Sequence, residues 1–143
     1  MNPEDIVRIS QLAGDEILKI YNQKENLQIS HKDDNSPLTD ADLAAHNIII
    51  QELQLIDNTP IVSEEGRIGD PKESETCWLV DPLDGTKEFI KRNGMFTVNI
   101  ALMQRDGSRW KPIFGVVHEK YIEELIPLIG DAFRTSVLKI SSI

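Results

Sequence analysis

The chain has 143 residues, 40% hydrophobic and 27% charged, with a formal net charge of −9. This is ordinary globular composition for one domain, and the acidic balance argues against a basic face for nucleic acid or an anionic membrane. Cys77 is the single cysteine, which excludes an intrachain disulfide and a cysteine-based zinc site. No apolar run approaches the length of a membrane span. With acids at Glu4 and Asp5 and no basic-then-apolar leader, a reducing, cytoplasmic setting is expected.

In chain order, Asn2-Pro3-Glu4-Asp5 predicts a helix start: Asn as cap, Pro in the first turn, acids at the positive dipole end. Ile6, Ile9, Ala13, Ile17 and Ile20 extend it to about residue 23 at helical spacing. Leu27 to Ser30 suggests a short strand, and the polar stretch Lys32 to Thr39, with His31 beside it, reads as a loop. Thr39 followed by Asp42 predicts a capped second helix to about residue 56, with Leu43, Ala44, Ile48, Ile49, Leu53 and Ile56 facing inward. Asp42 has two readings, a partner in that cap or a general base mounted on a rigid helix start. Pro60 to Ser63 predicts a buried strand that delivers Glu64 and Glu65 to a sheet edge. Arg67 to Glu75, charged and with Gly69 and Pro71, reads as a mobile loop or lid.

The most informative stretch is Trp78 to Phe89. Trp78-Leu79-Val80 is strand-like, Pro82 is expected to end the strand, and Asp81 and Asp84 then converge only if the chain turns between them. Two such carboxylates with the Leu83 carbonyl suit a hard cation such as Mg²⁺. Gly85 permits close backbone approach, and a short helix from Thr86 through Lys87 and Glu88 to Lys91 offers its N–H groups to a phosphate. The bland alternative is an Asp-rich turn in which Asp84 merely caps that helix. Beyond it, Met95–Met103 and Trp110–Val117 read as strands of a hairpin turning at Arg105–Ser108. Residues 119–129 have helical character closed by Gly130, and 136–143 suggest a last strand. His46 and His118 read as surface or boundary residues. Expected is a layered α/β (α+β) architecture: two long helices on one face of a mostly antiparallel sheet built from about residues 60–64, 77–82, 95–104 and 110–117.

The run Asp81-Pro82-Leu83-Asp84-Gly85-Thr86, with Ser63-Glu64-Glu65 and Ser36-Pro37-Leu38-Thr39-x-x-Asp42 upstream, resembles the inositol monophosphatase superfamily. Residues 84–94 and Phe96 to Leu102 are most similar to its 3′(2′),5′-bisphosphate nucleotidase branch. Lys87-Glu88-Phe89 stands where inositol monophosphatases usually have Thr-Asn-Phe. The resemblance implies an inositol monophosphatase-like N-terminal lobe and a Mg²⁺-dependent, lithium-sensitive phosphatase. Glu64, Asp81, Asp84 and the Leu83 carbonyl would hold metal, and Asp42 with Thr86 would activate water. Glu64, Leu83, Asp84, Gly85, Thr86 and Lys87 would line the phosphate site. The implied substrate is a small nucleotide bisphosphate, adenosine 3′,5′-bisphosphate, cleaved to AMP and phosphate in sulfur metabolism. The implied location is cytoplasmic, with peripheral association on the cytoplasmic side of the inner membrane as a variant; no nucleic-acid polymer is implied as partner.

The resemblance runs from the first helix to about Val117, and residues 118–143 diverge. The family's later lobe, with another metal-binding Asp in a Trp-Asp-x-Ala-Ala-type motif, has no counterpart: no Trp follows Trp110, and Asp131 sits in Gly-Asp-Ala-Phe. The chain therefore reads as an incomplete phosphatase-like domain. Two alternatives follow: an inactive metal- or phosphate-binding fragment that forms homodimers through its exposed sheet, and a phosphatase for inositol or sugar phosphates.

Overall fold

A computed structural model describes residues 2–23, 28–33 and 37–119, and the backbone of 135–138. Helix α1 (Pro3–Asn22) begins where expected, the Asn2 side chain accepting from the Glu4 N–H at 3.2 Å. Ile6, Ile9, Ala13 and Ile17 form its fully buried stripe. Strands β1 (Ile29–His31) and β2 (Pro37–Thr39) pair antiparallel. Leu38 and Thr39, expected in a loop, are thus in a two-stranded ribbon, as is His31. Pro37 fits there because it is the first residue of its strand, where no N–H is needed.

Helix α2 (Asp40–Ile56) is capped as its sequence predicts. Its buried stripe runs through Ala41, Ala45, Ile49 and Leu53. Leu43, expected inside, is 41% exposed. Two residues rotate a helix by about 200°, so Leu43 stands opposite Ala41.

Strands β3 (Ile61–Ser63), β4 (Gly66–Ile68), β5 (Thr76–Asp84), β6 (Thr97–Asp106), β7 (Arg109–His118) and β8 (Thr135–Leu138) form a six-stranded sheet in the order β4-β3-β5-β6-β7-β8. All neighbours are antiparallel except β3 and β5. Trp78, Val80, Val98, Ile100, Phe114 and Val116 point to one face and share a core with α1 and α2. The opposite face carries Val62, Leu79, Ala101 and Gly115, in register across four strands. His118, expected at a boundary, is fully buried, because its place at the end of β7 continues the inward alternation of Phe114 and Val116.

The segment expected as a lid is structured. Gly66–Ile68 pairs with β3, and Pro71–Glu73 forms one 3₁₀ turn. Arg105 pins that turn, donating to the Ser74 and Pro71 carbonyls while its guanidinium lies 4.7 Å from the Trp110 ring centre. Its charged composition marked exposure, not freedom. The helix expected at 119–129 lies outside the described residues, as does the tail beyond Leu138; within 136–143 the described backbone is the end of β8.

Candidate active site

Strand β5 does not end at Pro82. It runs to Asp84, with an irregularity at Pro82 and Leu83. Asp81 pairs with Asn99 and Asp84 with Thr97, so β5 advances three residues while β6 advances two. That extra residue is a β-bulge, which breaks the alternation of side chains; the consecutive burial of Pro82 and Leu83 records the break. The bulge achieves what a turn was expected to do, and brings Asp81 and Asp84 into electrostatic contact. Asp84 accepts from Asn99 Nδ2 at 3.2 Å. It does not cap the following helix α3 (Thr86–Lys91), whose N-cap is Gly85 with no side-chain cap bond.

Asp81 is the most perturbed group of the cluster. Burial first, then repulsion from Glu64 and Asp84, push its carboxyl up to about 7. Its Oδ1 is buried with no hydrogen-bond partner. Glu64 sits in the turn after β3, its N–H held by the Val80 carbonyl at 3.0 Å. The Glu64 carboxylate is drawn to Lys32, whose ammonium is 2.9 Å from Glu64 and 2.7 Å from Glu65. Burial disfavours the Lys32 charge, but the ion pairs with Glu65 and Glu64 outweigh it and hold its pKa above the ordinary lysine value. Glu65 is pushed up by burial, an effect that Lys32 partly offsets.

On the other side of the bulge, Thr86 Oγ1 lies 2.9 Å from Asp42 Oδ1 and 3.2 Å from the Leu83 carbonyl. Asp42 is 2% exposed and uses its oxygens separately. Oδ2 accepts the Thr39 N–H (2.8 Å) and hydroxyl (2.5 Å), completing the cap, while Oδ1 takes Thr86. Gly85 has φ +94° and passes so close to the segment leading into β6 that a Cβ would stand 2.7 Å from the Met95 carbonyl. Pro37, Glu64, Gly85, Thr86, Lys87 and Glu88 line a cleft of about 310 Å³. Glu64 also borders a larger hollow of about 650 Å³ on the outer sheet face, with Asp81 and Asn99.

The donor chemistry fits a hard cation: carboxylate and carbonyl oxygens, one of them a buried, unpaired Asp81 oxygen amid like charges. Among the described residues no three carboxylate, imidazole or thiolate groups already converge at metal-holding distance; the Glu64 carboxylate stands between Lys32 and Asp81 and interacts with both. Two polar partners in this site had no sequence signal. Lys32 lies 32 residues from Glu64 in a polar stretch, and Asn99 looks like one more outward position on an alternating strand. Only pairing across β5 and β6 puts Asn99 beside the acids.

The layered fold and its acidic cluster agree with the sequence match: this chain belongs to the inositol monophosphatase family, whose model matches residues 5–129. Within it, the chain is 45% identical over 122 residues to the protein named 3′(2′),5′-bisphosphate nucleotidase CysQ of Salmonella typhimurium, covering 80% of this chain and 46% of that protein. The CysQ of Escherichia coli K12 is 46% identical over 118 residues, with the same coverage. Among solved structures, CysQ from Bacteroides thetaiotaomicron superposes with a TM-score of 0.66 at 43% identity, over 83% of this chain and 42% of that one. The extragenic suppressor protein SuhB of Bartonella henselae gives 0.73 at 30%, over 83% and 45%. The chain spans about half the length of the curated relatives it matches. Among the described residues no helix is long and apolar enough to cross a membrane.

Proposed function

We propose that this chain carries the proton-handling and most of the cation-holding part of a Mg²⁺-dependent phosphatase that removes the 3′-phosphate of adenosine 3′,5′-bisphosphate, giving AMP and phosphate. The observation that carries the reading is the Thr86–Asp42 bond, a tie across 44 residues beside the Glu64, Asp81 and Asp84 carboxylates. The nucleotide rests on the names of the relatives and on the Lys87-Glu88-Phe89 variant. Glu64, Asp81, Asp84 and the Leu83 carbonyl would hold Mg²⁺, which when bound neutralises phosphate charge and makes a water more acidic. The chain's own residues handle the proton. Thr86 Oγ1 gives its hydrogen to Asp42 Oδ1, leaving a lone pair to orient a water and receive its proton as the oxygen attacks phosphorus. The new P–O bond forms, the bond to the 3′ oxygen breaks, and that oxygen takes a proton from solvent. Gly85 keeps the backbone clear for phosphate, and Lys87, exposed at the cleft, adds positive charge.

Phosphate release from adenosine 3′,5′-bisphosphate, with and without Mg²⁺ and alongside Asp84→Asn, tests this directly. Mg²⁺-dependent release lost in Asp84→Asn supports it. A preference for inositol 1-phosphate would move the substrate class. No release above the Asp84→Asn background, with Mn²⁺ binding retained, would favour the second reading, a metal- or phosphate-binding protein without the activity.

A further inference from the structure

His46 lies one helical turn beyond Asp42 on α2, so the two side chains leave the same face. Asp42 ties Thr86, on the α3 side of the site. His46 Nδ1 lies 2.9 Å from Ser63 Oγ, the last residue before the Glu64–Glu65 turn. Ser63 Oγ also accepts the Glu65 N–H, at 3.4 Å. With the ring proton on Nε2, the Ser63 hydroxyl donates its own proton to His46 Nδ1. Burial lowers the His46 pKa, which favours the neutral ring. Gly66 packs over the ring: a Cβ there would sit 3.6 Å from Cε1 and Nε2. One helix face therefore holds both halves of the site, each through a hydroxyl.

We infer that His46 is a positioning residue which, through Ser63, fixes the Glu64–Glu65 turn so that Glu64 faces Asp81. The inference rests on Glu64 as a cation ligand. His46 touches neither the acids' oxygens nor the cleft, so its effect passes entirely through Ser63 and the turn backbone.

Two readouts separate this from a plain packing role: amide hydrogen exchange across residues 63–66, and Mn²⁺ affinity by calorimetry. His46→Leu, which keeps volume and removes the acceptor, should speed exchange in that turn about tenfold and weaken Mn²⁺ binding roughly 10–100-fold, as loss of a supporting bond behind a ligand does. His46→Asn, which retains a polar group near the Nδ1 position, should restore both. Ser63→Ala should reproduce the loss, and the double variant should add nothing to it. Unchanged exchange in the turn would overturn the inference, as would loosening spread equally through α1. Faster exchange with unaltered Mn²⁺ affinity would overturn it too. A wild-type chain that binds no Mn²⁺ would defeat the phosphatase reading, while the exchange measurements would still decide whether the tie holds the turn.

Discussion

Thr86 has one proton and two acceptors within reach, Asp42 Oδ1 and the Leu83 carbonyl. Replacing its hydroxyl removes the proposed relay without touching the carboxylates. In a phosphate-release assay, Thr86→Ala should lose about 10²-fold or more, the usual scale of acid–base assistance, while Thr86→Ser retains most of the rate. Asp81 carries a pH signature. Its folded value of about 7 lies above the ordinary 3.8, so the native state holds this proton more tightly than the unfolded chain. Its contribution to stability is fully present below about 4 and is lost as pH rises through about 7. The cation-free protein should therefore resist urea better at pH 5 than at pH 8, and Asp81→Asn should flatten that difference. Asp42 shows how far single residues were legible. The capping reading is seen directly, through Oδ2; Oδ1, bonded to Thr86, is the oxygen on which the proposed general-base role rests. Asp84 is the reverse case: its capping alternative fails because Gly85 occupies the cap.

Among the elements, α1 and α2 were legible to within a residue or two, since an isoleucine–alanine stripe and a Thr-x-x-Asp cap are local signals. The bulge in β5 was not. Pro82 announces an interruption, but whether the strand stops or slips by one residue depends on its partner β6, 15 residues away at the Asp84–Asn99 contact. The lid failed for a related reason, since its anchor is Arg105, 31 residues beyond Ser74. Two substitutions test the scaffold at this scale. Gly85→Ala combines φ +94° with a 2.7 Å clash against backbone and should lower stability by about 1–3 kcal/mol, with loss of the α3 start. Leu53→Ala, on the buried stripe of α2, should cost about 2–5 kcal/mol in chemical unfolding and leave the cleft residues in place.

At the level of the molecule, the two faces of the sheet differ. One is filled by α1 and α2; the other exposes Leu79 at 47% and Val117 at 39% beside an apolar hollow. Such a face favours association. Leu79→Thr should leave the unfolding midpoint nearly unchanged, since threonine suits a strand, and should reduce concentration-dependent light scattering. Which segments are helices and which are strands could be read from periodicity, and the Arg105–Ser108 turn announced one antiparallel pair; the layering and the overall antiparallel bias came with the family resemblance. The parallel pairing of β3 with β5 could not, because pairing partners are set by three-dimensional packing rather than local pattern.

The Gly107–Ser108 turn joins β6 and β7 through two residues, whereas the Asp42–Thr86 tie closes a loop of 44. Closing the short loop is far cheaper in chain entropy, and isolated hairpins form in about 1–10 μs. During refolding the hairpin can therefore precede the Asp42–Thr86 tie, so that the strand pair forms before the proposed site is assembled. In a stopped-flow experiment, Trp110 next to that turn should report early, and any phosphatase activity should return only with the slowest phase.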